Sequence, residues 1–115
     1  MIFHLLITAL NTVQLLGRVG NDPKLISDRV VVFSLATNET YRNAQGENHT
    51  RTTWHDIVSF FPYQNDMLMN SVTKGARILV QGRLNNREVT DRETGTTRRL
   101  TNVVANDIIR LQNRK

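Results

Sequence analysis

From Ala76 to Arg87 the chain alternates, with Ile78, Val80, Gly82 and Leu84 on one parity and Arg77, Leu79, Gln81 and Arg83 on the other. A period of two belongs to an extended strand, because successive side chains leave opposite faces of a pleated backbone. The segment therefore predicts one core face and one wet, basic face. A strand with a single buried face cannot stand alone, so the rest of the chain must supply a sheet around it.

Four other segments read as strands. Val13 to Gly20 is closed by Gly20-Asn21-Asp22-Pro23, whose glycine, Asx residue and proline favour a turn for separate steric reasons. Gly17 interrupts this run, and a glycine inside a strand predicts a bulge or a tight bend of the kind a small barrel needs to close. Val30 to Asn38 is dense in β-branched and aromatic residues. Thr53 to Phe61 follows the polar tract Arg42 to His49, which predicts an exposed hairpin loop. Arg99 to Leu111 is the last strand, reached through a turn over Asp91 to Thr96 that carries Gly95. Pro62 ends the third run and suits the first position of a helix, with Met67, Leu68 and Val72 as its apolar stripe and Lys74-Gly75 as its last turn and cap. The order is three strands, a short helix that plugs a barrel end, then two strands. That order predicts an all-β chain with one short helix, the five-stranded Greek-key barrel of the OB-fold, whose face and loops bind oligonucleotides or oligosaccharides.

Length and composition set the outer limits. With 115 residues, 39% of them apolar, the chain has enough material for one core and too little for two ordinary domains. Residues 11–111 form the expected domain, with short extensions at 1–10 and 112–115. The 15 Lys and Arg against 10 Asp and Glu leave +5. This excess favours polyanionic partners without choosing among nucleic acid, acidic protein and anionic lipid. No cysteine is present, so disulfides, thiol nucleophiles and thiolate metal sites are excluded. Met1 to Leu10 is apolar but too short to span a bilayer, and it lacks the basic start of a signal peptide and the arginines of a transit peptide. It reads as a processing remnant, a cloning artefact, or an extension of the first strand. No membrane partner, cofactor or metal is expected.

Several separated motifs then carry a more specific resemblance. Asn11-Thr12-Val13-Gln14-Leu15-Leu16-Gly17-Arg18-Val19-Gly20-Asn21-Asp22-Pro23, Phe33-Ser34-Leu35-Ala36-Thr37-Asn38-Glu39, Thr52-Thr53-Trp54-His55 and Lys74-Gly75-Ala76-Arg77-Ile78 stand in this order. Over roughly residues 11 to 111 the chain resembles the bacterial and mitochondrial single-stranded DNA-binding proteins. The resemblance implies a homotetramer of OB-folds wrapped by single-stranded DNA. It also implies a role in protecting that strand during replication, with replication helicase and polymerase as candidate partners. Position by position it assigns base stacking to Trp54, Phe60 and Tyr41, the last standing where the family usually has tryptophan. It assigns backbone contacts to Arg42, Lys74 and Arg87, and subunit assembly to His55.

The residues read by themselves agree in part. Trp54, Asp56, Val58 and Phe60 share one strand face by period two, and the aspartate makes that face at least partly wet. Any base can stack on an exposed ring, which gives affinity without sequence preference. The same periodicity equally suits core aromatics. Arg77, Arg83 and Arg87 share a parity and could track a phosphate backbone, or could be the ordinary solvated side of a sheet.

The chain also departs from the family pattern. Asp56 occupies a position often basic in relatives, and a carboxylate beside phosphates costs affinity. Val89 stands where bacterial relatives carry another aromatic. The Gly/Pro-rich linker and acidic tip of bacterial members are absent, so recruitment through such a tail is not expected. The short form and Thr52-Thr53-Trp54-His55 point to the mitochondrial branch, in the matrix nucleoid, with the bacterial cytoplasm as the alternative. Two functional alternatives bear weighing against this reading. His49, His55 and the scattered aspartates lack the spacing of a catalytic or metal motif, so an enzyme is not expected. An OB-fold assembly module that binds protein partners or RNA is the other reading.

Overall fold

The computed structural model describes residues 9–112, so the expectations for Met1 to Thr8 and for Asn113 to Lys115 lie outside the described residues. Six strands and one helix follow in order: β1 (Val13–Val19), β2 (Lys24–Ser27), β3 (Val30–Arg42), β4 (Asn48–Ser59), α1 (Pro62–Ser71), β5 (Arg77–Thr90) and β6 (Thr97–Leu111). β1 pairs with β5, β5 with β6, β6 with β4, β4 with β3, and β3 returns to β1. Five strands thus close on themselves, the expected OB-fold barrel. The short β2 was not foreseen. It pairs only with β3 and stands outside the ring. All four of its residues are exposed, so its sequence lacks the apolar alternation that marks a strand.

Closure is antiparallel everywhere except at the β4–β6 seam, where Ile57 faces Val103 and Val58 faces Val104 in parallel register. At the other seam Arg18 belongs to two ladders, opposite Arg77 of β5 and Ala36 of β3. Gly17 sits beside this switch. Its register with β5 is continuous, so of the expected bulge or tight bend the bulge is not there. Its lack of a side chain instead lets β3 cross close above it, since a Cβ at position 17 would overlap the Ala36 carbonyl oxygen. The irregularity lies elsewhere: Gln81 pairs with Asp107 and Gly82 with Ala105, which leaves Asn106 as an extra residue of β6.

The core is the interior of the ring. Val31, Leu35, Ile57, Leu68, Ile78 and Val80 are fully buried within it. The alternation expected for β5 holds through Ile78, Val80 and Gly82 and then fails at Leu84, which is 49% exposed. β5 and β6 stay in the ring as far as the β4–β6 seam, where Arg83 and Leu84 pair with the buried Val104 and Val103, and beyond it they leave the barrel as a two-stranded arm, where neither face has a core to cover. β3 and β4 do the same beyond Asn38 and Thr52, so their strands run well past the expected ends.

α1 starts at Pro62 as expected and plugs one end of the ring through Leu68, with Met67 packed against the core. It ends at Ser71, before the expected Lys74-Gly75 cap. Val72 already has extended backbone and turns its side chain into the core, with 3% of it exposed. Burial of a β-branched side chain decides this end. Lys74 and Gly75 instead form a turn stapled to the end of β1. The Gly75 amide donates to Val19 O at 2.7 Å and the Lys74 amide to Asp22 Oδ1 at 2.7 Å.

Candidate nucleic-acid interface

The exterior of the β3–β4 pair is built by the same alternation that fills the core. Ile57 and Ser59 point inward and are fully buried, so Trp54, Asp56 and Val58 must point outward. Trp54 is 62% exposed and stands opposite Ala36, while Asp56 stands opposite Ser34. A large ring over small neighbours is a platform open on one side. Beside it Thr52 Oγ1 donates to Asn38 Oδ1 at 2.8 Å, which ties the two strands together where they leave the barrel. The Asp56 carboxylate has no hydrogen bond or ion pair to any described residue, so a charge remains on the wet face next to the ring. Phe60 follows the last residue of β4 and is 48% exposed, near the start of α1.

Tyr41 lies farther out, on the β3–β4 arm, opposite His49. The two rings stack with centroids 5.7 Å apart and planes 25° apart, and the Arg51 guanidinium lies 5.5 Å from the Tyr41 centroid. The alternation gives Tyr41, His49 and Arg51 the parity of the inward residues, whereas Arg42 has the parity of Trp54. Tyr41 and Trp54 are therefore separate stations rather than one surface. The loop at the tip turns on Asn43, whose Oδ1 accepts from the Gln45 and Glu47 amides at 3.0 and 2.9 Å. Its Nδ2 then lies 2.9 Å from His49 Nε2, so that nitrogen accepts the bond. From sequence Arg51 flanks the loop with Arg42, as the less supported of the two, and His49 is only a weak acid/base candidate; their place around Tyr41 was not expected. Their signal was the hairpin register, which places them around Tyr41 once the loop length is known.

The three same-parity arginines of β5 do not form one cluster. Arg77 and Arg87 are ten residues apart, about 33 Å along a strand. Arg77 is half-buried, beside Arg18 in the β1–β5 ladder, and borders a shallow cavity with Arg110 and Leu111. Arg83 stands at the root of the arm, opposite Val104 of the closing seam, and Arg87 farther out, opposite Leu100. That register adds an arginine that sequence reading missed. Arg98 faces Val89 and so lies on the same side of the arm as Arg83 and Arg87, while Arg99 faces Glu88 on the other side. Lys74 sits at the turn beside Asp22, with its side chain exposed. His55 points to the inward side at the barrel rim, half-buried, its Nε2 2.8 Å from Thr37 Oγ1. Among the described residues no cluster of His, Asp and Glu is arranged to hold a metal ion, and no helix is long and apolar enough to cross a membrane.

The geometry thus offers Trp54 on the barrel wall with Phe60 at the end of the same strand, Tyr41 toward the tip of one arm, and arginines along both arms. Rings with cations spaced around them suit an extended polyanion whose bases are splayed out.

Comparison with known proteins gives the same direction. Residues 10–111 match the profile described as the single-strand binding protein family. The chain is 42% identical to the Xenopus laevis single-stranded DNA-binding protein 1-A, mitochondrial, covering 88% of this chain and 76% of that one. It is 39% identical to the Drosophila melanogaster single-stranded DNA-binding protein, mitochondrial, covering 86% and 69%. Among solved structures it resembles the Plasmodium falciparum SSB in complex with ssDNA, with a TM-score of 0.81, 33% identity, and 94% and 100% of the two chains covered. A Thermus aquaticus single-stranded DNA-binding protein shares the fold, with a TM-score of 0.77 at 24% identity over 91% of this chain and 52% of that one.

Proposed function

The chain belongs to the single-strand binding protein family, and from that premise we propose that it coats and protects single-stranded DNA without sequence preference during replication. It is a binder and not an enzyme. Trp54 carries the reading: a ring 62% exposed on the outer wall of a rigid barrel, where burial would be the ordinary fate of a tryptophan. Stacking on such a ring is worth about 1–3 kcal/mol per base and does not depend on which base it is. Phe60 and Tyr41 extend the stacking path. Arg42, Lys74, Arg77, Arg83 and Arg87 meet phosphates along it, each neutralised phosphate releasing counterions.

The working unit is a homotetramer. Leu16, Leu79 and Ile109 form one row across β1, β5 and β6 on the barrel exterior, with Leu16 and Ile109 nearly half exposed, a surface suited to a second copy. His55 lies at the rim of the same barrel and contributes to assembly. The site of action is the mitochondrial matrix, on the nucleoid, in keeping with the mitochondrial names of the relatives. There the replication helicase, which exposes single strand, and the polymerase, which consumes it, are its working partners.

A titration with a homopolymeric thymidine strand at two salt concentrations tests the reading, because Trp54 is the one tryptophan in the chain and reports alone. Strong quenching that weakens at high salt is expected. No quenching together with no shift on a native gel overturns DNA binding. Sedimentation that gives the mass of one chain rather than of a tetramer overturns the assembly.

A further inference from the structure

Gly20 follows β1 and continues its pairing with β3, its amide donating to Ser34 O at 2.8 Å. Its φ is not positive, so no left-handed backbone conformation calls for a glycine here. The space around it does. A Cβ built at position 20 overlaps Trp54 Cζ3 and falls 3.1 Å from Trp54 Cη2 and 2.9 Å from Ser34 Oγ. Ser34 cannot easily give way, since both its amide and its hydroxyl donate to Asn21 Oδ1.

These atoms show how the indole is laid. Trp54 is rooted on β4 opposite Ala36 of β3, and the far edge of its six-membered ring reaches Gly20 at the end of β1. β3 lies between those two strands. The ring therefore crosses β3 from one neighbour to the other, over the small residues Ala36 and Ser34, and its far edge rests where a side chain at position 20 would stand. With 62% of its surface exposed, most of the ring stays open to solvent above β3.

We propose that Gly20 is a positioning residue for DNA binding: by having no side chain it lets the Trp54 indole lie flat across β3 as a preformed stacking platform. This rests on the reading of Trp54 given above. A ring already seated has little rotamer freedom to lose when a base stacks on it, so its stacking energy goes into affinity. A methyl group at position 20 lifts the far edge of the ring and removes that seat.

The test measures binding of a fluorescently labelled thymidine oligomer by anisotropy for Gly20→Ala in two backgrounds. With Trp54 present, Gly20→Ala weakens binding about five- to tenfold, a loss within the range of one stacked base, and shifts the Trp54 emission of the unbound protein. With Trp54→Phe, whose shorter ring does not reach position 20, the same substitution has no further effect. Equal losses in both backgrounds overturn the proposal, because position 20 then acts through something other than the indole. So does unchanged binding of Gly20→Ala with Trp54 present. If Gly20→Ala fails to fold, restored folding in Gly20→Ala/Trp54→Phe supports the steric account and continued failure overturns it. Failure of the underlying function is read separately, as wild-type protein that does not bind the oligomer or Trp54→Ala that binds it as tightly as wild type.

Discussion

The barrel wall and the two arms use the same secondary structure for opposite ends. On the wall every strand has an inner face locked into the core, so the outer face is fixed by default, and Trp54 is held in place because Ile57 and Leu35 behind it are fully buried. On the arms β3–β4 and β5–β6 continue as two-stranded ribbons whose faces are both wet. They are held by ladder hydrogen bonds and cross-strand pairs, such as Tyr41 on His49 and Thr101 Oγ1 donating to Asn86 Oδ1 at 2.7 Å, with the Asn11 side chain bonded to the Leu84 amide and carbonyl at the root of the β5–β6 arm. Isolated hairpins of this kind are marginal in water. Under the proposed function, this division would give the barrel a rigid aromatic station and the arms an adjustable cationic grip, which suits a ligand whose backbone has no fixed shape.

The largest effect separates the two regions by stability. Leu35→Ala, in the barrel, should cost about 2–5 kcal/mol in chemical denaturation, whereas Val89→Ala, on the arm, should stay within about 0.5 kcal/mol. Similar costs at the two sites would break the distinction. Next comes Trp54→Ala, which should weaken binding of a labelled thymidine oligomer by about 1–3 kcal/mol while leaving the denaturation midpoint close to wild type. A large loss of stability would mean the ring serves the fold.

Smaller effects sharpen the role of the arms. Arg98→Ala should weaken binding a fewfold and flatten the plot of log affinity against log salt by about 0.7, the share of one phosphate contact on a single strand. An unchanged slope removes Arg98 from the DNA path. Asp56→Asn should act in the opposite sense and tighten binding about two- to fivefold at low salt, an effect that fades as salt screens the charge. Weaker binding by this variant would instead give the carboxylate a hydrogen-bonding role toward a base. The smallest effect is in hydrogen exchange, where amides of Tyr41, Arg87 and Arg98 should exchange well before those of Ile57 and Ile78, because an arm opens without exposing the core.

The comparison also explains which parts of the molecule were legible. Where a strand borders the core, burial imposes period two, and the sequence carries it: Ile78-Val80-Gly82 and the Trp54-Asp56-Val58 face are visible without coordinates. The turn at Gly20 to Pro23, the helix start at Pro62 and the order of elements follow from local chemistry in the same way, and that order with the Trp54 motifs points to the family. The arms carry no such signal. Their strands were read as ending near Asn38 and Arg87 because alternation stops where the core stops, although the ladder does not. The helix end was misplaced because Val72 answers to the core and Lys74-Gly75 to the end of β1, both of them contacts distant in sequence.

What the amino-acid sequence alone determined is therefore the set of groups available, an aromatic strand face and an excess of arginine, together with the barrel that a few alternating segments must form. Only the closed tertiary structure decided how those groups meet. It brought Gly20 under the indole of Trp54, set Arg98 beside Arg83 and Arg87, and parted Tyr41 from Trp54. Each of these depends on strand register and on strand crossing, and register is fixed by the packing of the whole ring rather than by any residue's neighbours in the chain.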